Sequence, residues 1–201
     1  MILGIDFDNT IIRYDELFHR IALEQKLIPE AIPKEKNAVR DYLRKMNQED
    51  KWTHLQGEVY GKRILEAIPY DAMKETLKEL SELGVLIYIV SHKTRMPYFG
   101  EPCDLHQAAI GWLKMEGLYD ATAENFIEKV FFEESKTAKI QRIIELGCTH
   151  YVDDLPEILE IIPEHVKKIL FSPTIGFRKT GDMDWDTMHN WHELPSILQI
   201  R

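Results

Sequence analysis

Cysteine is almost missing from this chain: Cys103 and Cys148 are the only two in 201 residues, far apart and in no CxxC or Cys/His cluster. That suggests neither a zinc site nor a disulfide framework and fits a reducing cytoplasm. Long hydrophobic runs are missing too. The longest wholly apolar stretch, Val85 to Val90, has a strand's length and falls far short of the roughly 18 residues a membrane helix needs. Asp6 and Asp8 interrupt the apolar start, so no secretory signal is read there and mature structure is expected from Met1 onward. There is no internal repeat, low-complexity tract or Gly/Ser linker. Cations are outnumbered, 25 Lys+Arg against 34 Asp+Glu for a net charge of −9. A field of that sign disfavours nucleic acid and anionic membranes as partners, so an anionic ligand must be held by a local cationic site.

What is present is an ordinary globular composition, 44% hydrophobic, at a length suited to one main core with an insertion. Five short apolar runs alternate with helical periodicity, the pattern of an α/β fold built on a Rossmann-like, mainly parallel sheet. They begin at Ile2, Val85, Lys129, His150 and Lys167. Helices predicted over Asp71–Leu83, Asp104–Glu116 and Thr137–Leu146 stop at Gly84, Gly117 and Gly147, and read as crossovers returning the chain to the sheet. Residues 13–68 break the alternation with helical patterns over Asp15–Leu27, Glu35–Met46 and Thr53–Glu66. The expected organisation is a core of residues 1–12 and 69–201 with a small helical insertion, 13–68. The turn-rich, tryptophan-bearing tail from Ser172 is expected to close the edge of the core.

Ligands of open parallel sheets bind at the carboxyl ends of the strands, so the residues just after each apolar run carry the chemistry. Asp6-Phe7-Asp8-Asn9-Thr10 follows the first run. Two carboxylates two residues apart at a strand end suit a nucleophile beside a general acid. Ser91, with His92, Lys93, Thr94 and Arg95 after it, follows the second run, where a hydroxyl and backbone N–H groups can hold a phosphoryl oxygen. Lys136 stands at a helix N-terminus, the unfavourable end for a cation, so an anion is expected beside it; Lys139, one turn later, competes for that role. Asp153-Asp154 follows the fourth run, and paired acids repel unless a cation such as Mg²⁺ lies among them.

In this order and these places, Asp6, Asp8, Thr10, Ser91, Lys136 and Asp153 with Asp154 resemble the haloacid dehalogenase (HAD) superfamily of phosphohydrolases. The resemblance spans Met1 to about Phe171, and the insertion resembles that superfamily's helical C1 cap. Asn9 stands where many members carry glycine, and asparagine tolerates the same left-handed backbone. The resemblance implies a phosphoric monoester hydrolase with Asp6 as nucleophile, forming an aspartyl-phosphate, and Asp8 as acid and base. Mg²⁺ would sit on Asp6, Asp153 and the Asp8 carbonyl, supported by Asp154. Thr10, Ser91, His92 and Lys136 would bind the phosphoryl group. In the cap and the loop facing it, Arg13, Trp52, His54, Lys93 and Arg95 are candidates to touch a small phosphorylated substrate, a sugar phosphate or nucleotide. A phosphotransferase or phosphomutase would use the same residues. A receiver-like domain fits less well, because its acidic pair comes early and its phosphoacceptor mid-chain.

Overall fold

The computed structural model describes residues 1–120, 122, 125–173 and 185–200. In chain order its strands are β1 (Ile2–Ile5), β2 (Ile12–Arg13), β3 (Ile68–Pro69), β4 (Leu86–His92), β5 (Lys129–Glu133), β6 (His150–Asp153), β7 (Lys167–Phe171) and β8 (Asp186–Met188). The α-helices are α1 (Asp15–Glu24), α2 (Lys36–Lys45), α3 (Glu49–Gly57), α4 (Met73–Glu82), α5 (Leu105–Met115), α6 (Lys136–Glu145), α7 (Pro156–Ile161) and α8 (Leu194–Ile197). Among the described residues no helix is long and apolar enough to cross a membrane.

Six strands form one parallel sheet in the order β5-β4-β1-β6-β7-β8. This is the α/β, Rossmann-like architecture that the alternating runs predict. From β1 the chain builds outward to β4 and β5, then crosses back to β6 on the other side, so the strand order reverses at β1 and opens a crevice at its carboxyl end. Residues of both parities in the central strands are buried, Leu3 and Ile5 with Ile87 and Ile89, and Val90 with Tyr151 and Leu170. Both faces are therefore covered, which is why these strands read as continuous apolar runs. β8 escapes such reading because Asp-Thr-Met at a sheet edge has no apolar run; residues 174–184 of the expected closing segment lie outside the described residues.

Contacts divide the chain into two units. The first, residues 1–11, 69–93 and 118–201, holds the six-stranded sheet. The second is residues 12–68 together with 94–117. The second piece departs from the expected boundaries: α5 reads as a crossover helix of the core, yet it packs with the insertion. Trp112 Nε1 donates to the Ala67 carbonyl at 2.9 Å, and a Cβ added at Gly61 would lie 3.1 Å from Cys103 Sγ and 3.2 Å from Leu105. The predicted helix over Thr53–Glu66 is instead α3 followed by a π-helical turn, Glu58–Lys62, and a 3₁₀ turn, Ile64–Glu66.

Gly4 is required by what crosses it. Its register partner in β6 is Tyr151, whose ring lies against β1 while its hydroxyl donates to the Val90 carbonyl in β4. A Cβ at Gly4 would sit 2.6 Å from Tyr151 Cδ2 and 3.0 Å from Cys148 Sγ. Gly4→Ala is therefore expected to lower stability by about 1–3 kcal/mol, the usual cost of overpacking a closed core, measured as a fall in the urea midpoint at unchanged slope.

Candidate active site

The reversal of strand order places the carboxyl ends of β1, β4 and β6 side by side, and each delivers acids or their partners to one point. Asp6 follows β1 and is anchored by its backbone N–H to the Val152 carbonyl at 2.9 Å. Ser91, near the end of β4, donates its hydroxyl to Asp6 Oδ1 at 2.8 Å. Asp153 ends β6, wholly buried, with Oδ1 accepting from the Leu155 N–H at 2.9 Å. Asp6 Oδ2 receives no hydrogen bond among the described residues.

The cation at the centre is Lys139. Its ammonium lies 2.6 Å from Asp6 Oδ1 and 2.6 Å from Asp153 Oδ2, and the residue is 1% exposed. Lys136 stands elsewhere, half-exposed and paired with Glu157 at 2.6 Å. The correction has a local cause. Ser135 caps α6 by accepting from the Ala138 N–H, which makes Lys136 the opening residue of the helix. One turn in, Lys139 shares the buried face with Ile143 and is carried down onto the sheet end. The sequence signal is shared between them: Lys136 and Lys139 each precede an isoleucine by four residues, Ile140 and Ile143, and only Ile143 is fully buried.

Burial pushes the Asp153 carboxyl up to about 7 despite Lys139 beside it, and pushes Asp6 above the usual carboxylate range. Burial also works against the Lys139 charge, but Asp6 and Asp153 outweigh it, so the ammonium titrates above the ordinary lysine range.

Carboxylate oxygens of Asp6, Asp153 and Asp154 come within 4.8 Å of one another. With Lys139 the set carries three carboxylates against one ammonium, a formal −2 that a divalent cation cancels. An all-oxygen donor set suits Mg²⁺. The residues present therefore fit a magnesium site. The Asp8 side chain is not in the cluster; it is held by Lys93, whose Nζ lies 3.0 Å from both Asp8 oxygens.

Other expected site residues are placed differently. Thr10 is fully buried, and among the described residues its hydroxyl has no hydrogen-bond partner. Asn9 has φ +58°, the left-handed backbone expected of it. His92 is exposed, and strand alternation sends its side chain to the face opposite Ser91. Lys93 is 4% exposed, not a loop cation. Arg13, Trp52, His54 and Arg95 belong to the second unit. Trp52 is core there, stacked on Phe18 at 5.0 Å; Arg95 pairs with Asp104 at 2.9 Å; His54 lies 5.9 Å from the Phe99 ring; Arg13 lines a cavity of about 530 Å³ with His19 and Glu66.

No protein-family model and no curated protein matches the chain. Solved structures do. YfnB from Bacillus subtilis, described as a HAD-hydrolase bound to magnesium, aligns at TM-score 0.67 and 14% identity over 99% of this chain and 98% of its own. A HAD phosphatase from Thermococcus onnurineus aligns at TM-score 0.59 and 17% identity over 98% and 96%. A dehalogenase aligns at TM-score 0.63 and 12% identity over 99% and 97%. The chain has the fold of the HAD-superfamily hydrolases.

Without metal, a carboxyl raised from 3.8 to about 7 contributes its stability below pH 4 and loses it as pH rises through 7. A divalent cation favours the ionised form. The rise in melting temperature on replacing EDTA by Mg²⁺ should therefore be larger at pH 8 than at pH 5.5; an increment independent of pH would contradict the assignment of Asp153 to the metal.

Proposed function

We propose that this chain is a Mg²⁺-dependent hydrolase of small phosphate monoesters, a sugar phosphate or nucleotide, working through a phosphorylated Asp6. The observation that carries this reading is the state of Asp6. One oxygen is fixed by Ser91 and Lys139 at 2.8 and 2.6 Å, and the other receives no hydrogen bond among the described residues. A carboxylate so held is oriented for in-line attack without being fully spent on hydrogen bonds.

In this scheme Asp6 Oδ2 attacks phosphorus as the bond to the leaving oxygen breaks, and Asp8 gives that oxygen a proton. Asp8 then takes a proton from the water that attacks the phosphorus of the aspartyl-phosphate, releasing phosphate and restoring Asp6. Ser91 and Lys139 bind the transferring group's oxygens, and Lys139 holds positive charge where negative charge develops. Asp6 and Asp153, with Asp154 beside them, would hold Mg²⁺, which would supply further charge neutralisation to the phosphoryl group.

One structural neighbour is a dehalogenase, so displacement of a halide from carbon is the second reading. A halide needs neither a proton nor a metal to leave. A carboxylate placed to protonate a leaving oxygen and a three-acid cluster suited to a divalent cation serve the phosphate chemistry, and the departure of a halide calls on neither.

The test is phosphate release from a panel of phosphorylated metabolites with Mg²⁺ and with EDTA. Asp6→Asn should abolish turnover with the fold intact; retention of more than a trace would remove the covalent scheme. Lys139→Gln should lower kcat by roughly a hundredfold or more, the effect of losing one donor to developing charge. It also leaves buried carboxylates unpaired, at about 3–5 kcal/mol, so its melting is followed in parallel with Mg²⁺ present. Lys136→Ala should stay near wild type. The reverse ranking of the two lysines would overturn the phosphoryl contact.

A further inference from the structure

Two residues of β1's extension and two of β4's end match pair for pair. Asp6 and Asp8 are two apart, as are Ser91 and Lys93, so each pair shares one side of an extended segment. Ser91 holds Asp6 at 2.8 Å and Lys93 holds Asp8 at 3.0 Å on both oxygens. The backbone of Lys93 is itself fixed, donating to the Glu133 carbonyl at 2.9 Å and continuing the β4–β5 ladder beyond the strand. Its ammonium lies 5.5 Å from the centre of the Phe7 ring.

The pair is asymmetric in exposure: the Lys93 side chain is 3% exposed and the Asp8 carboxylate 22%. A buried lysine charge is costly unless it is paired, so this ammonium has little freedom to leave. The partner that meets solvent, and hence a ligand, is the carboxylate. The rigid member therefore sets the direction of the reactive one.

Resting on the phosphohydrolase reading above, we propose that Lys93 is a positioning residue that aims Asp8 at the leaving-group oxygen. As the P–O bond to the leaving group breaks, the proton on one Asp8 oxygen passes to that group's oxygen. Lys93 keeps all three of its protons and grips the other Asp8 oxygen throughout. Asp8 is left as a carboxylate against the ammonium, aimed to accept a proton from water in the second half of the cycle. This role differs from a substrate contact made equally in ground and transition states, which would appear in KM alone.

The consequence depends on how much a leaving group needs its proton. An alkoxide leaves poorly without one, whereas p-nitrophenolate leaves unaided. The experiment compares kcat and KM on glycerol 3-phosphate and p-nitrophenyl phosphate, with Mg²⁺, for wild type, Lys93→Met, Lys93→Arg, Asp8→Asn and the double variant Asp8→Asn/Lys93→Met. Lys93→Met keeps the buried stem and removes the charge. It should lose roughly a hundredfold in kcat/KM, which reports the steps up to departure of the leaving group, on the alkyl ester, the low end of general-acid effects, and less than about threefold in kcat/KM on the aryl ester; the water step common to both esters lowers their kcat alike. Lys93→Arg should recover most of the loss, and Lys93→Met should cost nothing further in the Asp8→Asn background.

Equal losses of kcat/KM on both esters, or a full additional loss in the Asp8→Asn background, would overturn the proposal. If Lys93→Met fails to fold, Lys93→Gln takes the same comparison under the same criteria. Wild type that releases phosphate from neither ester nor from the metabolite panel would instead overturn the phosphohydrolase reading, and this proposal with it.

Discussion

The ammonium of Lys139 between the Asp6 and Asp153 carboxylates is the constraint around which the first unit is arranged. It joins β1, β6 and α6 at a point 1% exposed, where unpaired carboxylates would be far more costly than an apolar filling. Apolar residues of similar volume would stabilise such a place at least as well. A buried ionic cluster kept there is therefore better explained by chemistry than by folding. Tyr151 links the cluster to the sheet: Lys139 lies 5.5 Å from its ring, and that ring spans the gap left by Gly4 to reach β4. A glycine, a tyrosine and a lysine from three elements thus fix where Asp6 sits.

Parallel topology supplies the rest. Each acid or its partner leaves the sheet at a strand's carboxyl end, and their convergence follows from the reversal of strand order at β1, without long loops. The acids come in two classes. Asp6 and Asp153 are buried around one lysine, while Asp8 is partly exposed and paired to another. Four carboxylates within a few residues of two strand ends are thereby kept from acting as one undifferentiated negative patch.

Most of this frame is legible in the residues. The central strands declare themselves as apolar runs because both their faces are covered, and the acids after them stand at the ends where a parallel sheet binds ligands. The misread features share a cause: local rules apply equally to neighbours, and packing chooses between them. Lys136 and Lys139 both begin a helix, and only the Ser135 cap with Ile143 below decides which faces the sheet. Lys93 reads as a loop cation until the ladder with β5 is seen to continue past His92. Trp52 reads equally as ligand platform or core, and Phe18 stacked on it decides the matter. α5 has the length, cap and glycine stop of a crossover helix, and no local signal tells which body its apolar face will join.

That membership of α5 has a consequence for modularity. Because the second unit takes residues 94–117 as well as 12–68, the chain passes from one unit to the other at four places. An insertion entered and left once can be deleted or exchanged as a cassette, with one pair of junctions to repair. Here excision of 12–68 would strand the buried side chains of Leu105, Ala109, Trp112 and Leu113 on a helix deprived of its neighbours, and a graft would need both segments and all four junctions. Diversification of the second unit is thus restricted to substitutions within it, since wholesale replacement would have to preserve two strand connections of the sheet at once.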